Sequence, residues 1–282
     1  MESLEGKLGA IKDLPTLPVV FRQVSAMIES NETDLKKIAD VIMTDTALAV
    51  RILRLVNSAF YGLRNRVTSL QHAVVALGLR AVYNLMLGLT VVKMFKNGKS
   101  FHFDPEMLWM HSFGCALLSE KIALAVKYPF PDECFIAGLL HDMGRLVFDQ
   151  YLHADCEEAC RRSAVPGNSL MDSERTVLGF DHTQAGAWLA RRMIIPDSFV
   201  SVIRYHHEPS KLPANQSAYS DIVRITATSN RICFLEKIGD SGERVYDDDP
   251  DLLNCGNLGI DVHGLAAGVA REIEQTISRW SV

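Results

Sequence analysis

The stretch PDECFIAGLLHDMGRLVFDQY, residues 131–151, decides the kind of fold this chain adopts. Pro131 suits the first turn of a helix, where its missing N–H costs nothing, and apolar residues follow at helical spacing. The spacing predicts one buried helix with the ionisable neighbours His141 and Asp142 in its interior. An ionised carboxylate buried without compensation costs several kcal/mol or more. A metal, a cation or a hydrogen-bond network is therefore expected to meet Asp142 from elsewhere in the chain.

The helical period continues on both sides. Upstream, FDPEMLWMHSFGCALLSEKIALAVKYPFP predicts a long helix opened by Asp104 and Pro105 and closed near Pro129. Further back, LPVVFRQVSAMIES and DLKKIADVIMTDTALAVRILRLVNSAF repeat the pattern, with Asn31 to Asp34 between helices, Thr68 or Ser69 as a cap, and Gly62 closing a helix in a left-handed conformation. Asn57 and Ser58 fall among apolar residues, so their side chains are expected to hydrogen-bond a neighbouring turn. No alternating strand pattern interrupts the series, and the fold class is all-α, a multi-helix bundle. The longest uncharged apolar run, AVYNLMLGLTVV at 81–92, is twelve residues, short of the roughly twenty needed to span a bilayer, and is read as a core helix.

With 48% hydrophobic and 22% charged residues in 282, the chain has the composition of a globular protein with a substantial core. MESLEGKLGA lacks the apolar segment of a secretory signal, which points to the cytoplasm, with no membrane partner. The six cysteines have no CxxC and no regular framework, as expected of scattered reduced thiols; Cys156 and Cys160 could share a helical face. KNGKSFHFDP, residues 96–105, is the candidate boundary between residues 1–100 and 101–282. Charge divides the chain near there. From Thr46 through Phe103 there is no Asp or Glu, and that segment carries +8, whereas the whole chain carries −5. The asymmetry points either to an anionic partner met by Arg51, Arg54, Arg64 and Arg66 or to pairing with the acidic remainder. Aromatic interleaving is limited to Phe60 and Tyr61, which argues against nucleic acid.

Most of the histidines lie in the second half: His111, His141, His182, and the pair His206 and His207. Each singly reads as a satisfied core histidine. Five of them with Asp142, drawn from separate helices, suit a site built by inward-facing side chains in the middle of a bundle. Imidazole and carboxylate together suit a divalent transition metal, iron, manganese, zinc or nickel, as one or two ions.

The order His, His-Asp, His, His-His resembles the HD superfamily of metal-dependent phosphohydrolases, and in its later histidines the HD-GYP branch. LPTLPVV, DTALAVRILRLVNSAFYG and SLQHAVVALGLRAV resemble the HDOD family, all-α relatives found in bacterial signalling proteins. The likeness runs from about Leu14 to about Leu235, and its most specific elements are NSAFYG and AVVALG. It implies an HD-like helical core preceded by an HDOD helical subdomain. By this resemblance one metal position would take His111, His141, Asp142 and a final aspartate, and a second would take His182, His206 and His207, with Asp142 bridging. Asn230 stands where the final aspartate belongs, so the first position should be weak; Asp221, nine residues earlier, is a poor substitute. Arg145 stands where a lysine is common and keeps a charge suited to phosphate. HHEPSKLPANQSAY lacks the Gly-Tyr-Pro loop associated with cyclic di-GMP hydrolysis.

Two functions follow from the resemblance. One is a signalling and regulatory module with a metal in an HD-type site, whose partner is a signalling protein or a small phosphorylated ligand. The other is a phosphohydrolase acting on a nucleotide or phosphodiester other than cyclic di-GMP, with Asp142 and Arg145 as its catalytic residues.

Overall fold

The computed structural model describes residues 4–11, 14, 16–30, 34–57, 63, 65–94, 104–245, 252–254 and 259–280. Among them there are helices and no strands. The chain divides into two compact units, Pro15–Lys96 and Met1–Leu14 together with Asn97–Val282. The sequence reading kept residues 1–14 with the first half. The structure groups them with the larger unit instead: in α1 (Leu4–Gly9) Leu8 is fully buried and Lys7 Nζ lies 3.2 Å from Asp155.

The smaller unit contains α2 (Val19–Glu29), α3 (Leu35–Met43), α4 (Thr46–Val56), α5 (Leu70–Leu77) and α6 (Leu79–Met94). Short polar side chains start these helices by accepting from otherwise unpaired N–H groups: Asp34 from Lys36 and Lys37, Asp45 from Leu48, and Ser69 from His72. Phe21, Val24, Ile38, Ile42, Ile52, Val82 and Met86 are among the residues buried in its core. The twelve-residue apolar run lies in α6 as a core helix, with Leu85, Met86 and Leu87 buried. No single described helix is long and apolar enough to cross a membrane; α5 and α6 have the length only as a pair bent by 118°.

In the larger unit, α7 (Pro105–Ala125) packs against α8 (Pro131–Leu140), α14 (Ser220–Leu235) and α15 (Val262–Trp280). The unit also contains α9 (Met143–Tyr151), α10 (His153–Ser163), α11 (Leu170–Leu178), α12 (His182–Arg192) and α13 (Asp197–Tyr205), with α12 packed against both α9 and α13 and α13 against α8 and α14. The expected single helix over 131–151 is two. α8 ends at Leu140, Asp142 adopts φ −98° and ψ 14°, and α9 restarts with the Arg145 N–H donating to the Asp142 carbonyl at 3.0 Å. His141 and Asp142 therefore occupy a break between helices, where both side chains can turn toward the interior.

Asn57 forms the expected clamp. Its amide donates to the carbonyls of Leu53 and Val67 and its oxygen accepts from the Val67 N–H, each at 2.7 Å, tying the end of α4 to the segment leading into α5. Ser58 and Gly62 lie outside the described residues. Asn57→Leu removes a matched donor and acceptor from the Val67 backbone and is expected to lower stability by about 1–2 kcal/mol. Urea denaturation measures this, and an unchanged midpoint would show that the clamp carries no weight.

Candidate metal centre

The larger unit brings the predicted residues together from five places. His111 lies within α7, His141 and Asp142 at the α8–α9 break, and His182 at the first residue of α12. His206 ends α13 with His207 next, and Asn230 lies in α14. Donor atoms of Asp142, His182, His206 and His207 all lie within 4.8 Å of one another, a grouping that could hold a metal ion. Asp142 Oδ1 is 3.5 Å from Nε2 of both His182 and His206, and Oδ2 is 3.4 Å from Nε2 of His141. One carboxylate thus faces imidazoles on two sides.

Local backbone geometry aims these rings. His141 Nδ1 donates to the Gly138 carbonyl at 2.7 Å, and His206 Nδ1 faces the carbonyls of Val202 and Ile203 at 3.2 and 3.1 Å. His182 Nδ1 pairs with Glu174 Oε2 at 2.7 Å, and the same oxygen accepts the His182 backbone N–H. With the proton on Nδ1, the lone pair on each Nε2 points inward toward Asp142. Those Nε2 atoms and both Asp142 oxygens are buried and make no hydrogen bond. Buried polar atoms rarely remain so, and this converging set of imidazole nitrogens and carboxylate oxygens fits a divalent cation. Helix packing sets the spacing: a Cβ on Gly144 would lie 1.8 Å from the His182 carbonyl oxygen, so glycine alone lets α9 approach α12 this closely.

Charge around Asp142 is arranged to keep it ionised. Burial opposes ionisation, but Arg145 and His141 outweigh it and hold the carboxyl well below the usual carboxylate range. Arg145 is buried, with Nε 3.1 Å from Asp142 Oδ2 and Nη2 2.8 Å from Glu243 Oε1. The guanidinium expected to meet phosphate is committed to two carboxylates of its own chain. Burial lowers His206 to about 4 and His207 well below the ordinary histidine value. Burial also opposes protonation of His182, but Glu174 prevails and raises its pKa.

The other predicted position differs. His111 Nε2 lies 2.8 Å from Asn230 Oδ1, so the nitrogen that would meet an ion is engaged by the carboxamide. Asp221 is exposed near the start of α14 and has no part in the site. A cysteine joins this side instead: donor atoms of His111, Cys115 and His141 also lie within 4.8 Å of one another.

The HDOD domain family profile matches residues 14–209, more than two thirds of the chain. This chain belongs to the HDOD family. An uncharacterized protein of Treponema pallidum (strain Nichols) is 28% identical over 246 residues, which is 85% of this HDOD chain and 45% of that protein. The chain thus spans less than half the length of this curated relative. Among solved structures, an HDOD domain protein of unknown function from Geobacter sulfurreducens superposes with TM-score 0.74 at 23% identity, covering 98% of this chain and 94% of that one. A candidate signal transduction protein from Marinobacter aquaeolei VT8 gives 0.71 at 22%, covering 99% and 61%. A candidate phosphohydrolase from Shewanella amazonensis SB2B gives 0.67 at 23%, covering 94% and 93%. At these identities the likeness bears on the fold.

Sequence reasoning missed Glu174 and Glu243, both buried at the HDOD site. Glu174 had a signal, since Leu170, Met171, Glu174 and Leu178 recur at helical spacing and all are buried. Glu243 had none, because it sits in an irregular segment beyond the family match. In the smaller unit Arg54 and Arg66 are exposed and Arg51 is half-buried, and none of the three makes an ion pair among the described residues. Arg51 lines a cleft of about 250 Å³ with Asp45, Thr16 and Thr90 among its walls. Arg64, Phe60 and Tyr61 lie outside the described residues. The five described cysteines, Cys156 and Cys160 included, are free thiols.

These shifts set an acid response for the metal-free protein. Burial, then His141, lowers His111 to about 4, and burial lowers His206 to the same value. The unfolded chain takes up these protons near the ordinary histidine value of about 6.5. Stability is therefore lost as pH falls from about 6.5 toward 4, by up to roughly 3 kcal/mol for each fully buried ring. His182, with its raised pKa, acts in the opposite sense, and so do the carboxyl groups of Glu120, pushed up to about 8 by burial, and Glu243, also raised by burial: their contributions are present at low pH and lost as pH rises, so they offset part of the fall. Imidazole NMR titration with chelator present isolates the histidine part: His111 and His206 should stay neutral at pH 5, and protonation of either ring near pH 6.5 contradicts this account.

Proposed function

We propose that this HDOD chain is a signalling and regulatory module that holds a divalent transition metal between Asp142, His182, His206 and His207, iron being the first candidate. The observation that carries the reading is the pair of Nδ1-anchored imidazoles, His182 and His206, whose Nε2 atoms converge on one buried oxygen of Asp142 at 3.5 Å. Asp142 is the central ligand in this reading. Asn230 leaves the His111 side weak. The partner is a signalling protein or a small phosphorylated ligand met by the basic surface of Arg51, Arg54 and Arg66, and the setting is the cytoplasm.

A second reading, a phosphohydrolase acting on a nucleotide or phosphodiester, is favoured by the two-sided placement of Asp142 between His141 and the His182–His206 pair. A bound ion would supply Lewis acidity there. Asp142 would hold the two sides together, and Glu174 would fix the tautomer of His182. Arg145 does not add a phosphate contact, since Asp142 and Glu243 engage it.

Elemental analysis after equal exposure to iron(II), manganese and zinc tests both readings. Asp142→Ala should abolish metal retention and lower the melting temperature, because binding to the folded state adds to its stability. Asn230→Asp should raise the metal stoichiometry, and on the second reading should bring or increase hydrolysis of bis-p-nitrophenyl phosphate. Wild-type protein that retains no metal under any of these conditions, with Asp142→Ala melting at the same temperature, removes the metal from the first reading and removes the second reading altogether.

A further inference from the structure

We propose that the smaller unit binds a free α-amino acid with a short apolar side chain, in the cleft lined by Asp45, Arg51 and Thr90. The cleft lies wholly within Pro15–Lys96, and the inference stands whether or not the Asp142 centre holds a metal.

Three pieces of chain build the cleft. α6 packs against both α2 and α4, and the segment leading into α2 supplies the third side, anchored by the buried Leu17. Leu48 of α4 and Leu89 of α6 are buried and, with Pro18, give the cleft apolar walls; Thr90 and Thr16 add hydroxyls. At about 250 Å³ it falls below the roughly 300–1,000 Å³ typical of sites for drug-sized ligands, which favours a molecule the size of one amino acid over a nucleotide.

The polar groups on these walls are uncommitted. Arg51 is half-buried, yet its guanidinium makes no hydrogen bond or ion pair among the described residues, whereas Arg54 and Arg66 are exposed. Thr90 is only 4% exposed, and its hydroxyl also has no partner among the described residues, although a helical threonine can readily turn to the carbonyl one turn back. Buried hydroxyls are rarely left so. Asp45 caps α4, with Oδ1 accepting from the Leu48 N–H at 3.0 Å, and its other oxygen makes no hydrogen bond among the described residues. A cation and an anion thus line one cleft without pairing with each other. A zwitterion answers both: its carboxylate accepts from Arg51 and Thr90, its ammonium donates to Asp45, and its side chain lies on Leu48 and Leu89. Phosphate suits the cleft less well, because its second negative charge would face Asp45 with no cation to offset it.

Isothermal titration calorimetry of the full chain, with chelator present so that no metal contributes, uses L-alanine, L-valine, L-leucine, L-methionine and inorganic phosphate as probes. At least one of the four amino acids should bind. Its N-acetyl and amide forms, each lacking one charge, should bind about tenfold or more weakly. Arg51→Ala should abolish binding, and Thr90→Val, which keeps the shape of the side chain, should weaken it severalfold without lowering the melting temperature of the free protein. Asp45→Ser retains a cap for α4, so it should weaken the free amino acid while leaving the N-acetyl form unchanged. Binding of none of the four amino acids, or tighter binding of phosphate than of any of them, overturns the assignment. So does Arg51→Ala protein that binds as wild type does. The metal reading is untouched by either outcome, since its residues belong to the larger unit.

Discussion

Asp142 carries a carboxylate into a place where 2% of it meets solvent, and the larger unit is organised around offsetting that burial. Arg145 approaches one oxygen, while the Nε2 atoms of His182 and His206 face the other and that of His141 faces the first, an arrangement that a cation shared with the carboxylate would complete. None of these groups would be stable alone in the interior. Each is held by a further residue: Glu174 behind His182, main-chain carbonyls behind His141 and His206, and Glu243 behind Arg145. The buried charges form a network, in which removing one member exposes the others to an uncompensated interior.

The network also explains why the two sides of Asp142 are unequal. On the His182 side the Nε2 atoms of His182 and His206 make no hydrogen bond, whereas on the His111 side the Asn230 carboxamide takes the nitrogen at 2.8 Å. A neutral amide satisfies the imidazole without adding charge. An interior already holding Asp142, Glu174 and Glu243 against one arginine has little means to hold another carboxylate unless a cation accompanies it.

Much of this was legible in the sequence, and the failures have physical causes. The all-α class followed from apolar spacing, and the ligand-type residues stood out because histidine and aspartate are conspicuous among buried apolar neighbours. The α8–α9 break was hidden because every residue from Cys134 to Asp149 except Leu139 is buried. A segment buried all round has no polar face whose phase could slip, so periodicity carried through the break unaltered. The grouping of α1 with the larger unit depends on contacts such as Lys7 with Asp155, far apart in sequence, which no local pattern encodes. Glu243 was invisible for a similar reason: its burial comes from the seating of an aperiodic segment on α7.

The contact between Gly144 and the His182 carbonyl has a mechanical consequence. Most helix pairs meet through side chains, whose rotamers absorb small displacements like a compliant layer. Here the main chains of α9 and α12 touch two residues beyond Asp142 and at His182 itself. No rotamer lies between them to take up motion. Movement of the main chain at Gly144 and movement of the start of α12 are thereby tied together, so the joint beside the buried charge is stiff rather than compliant.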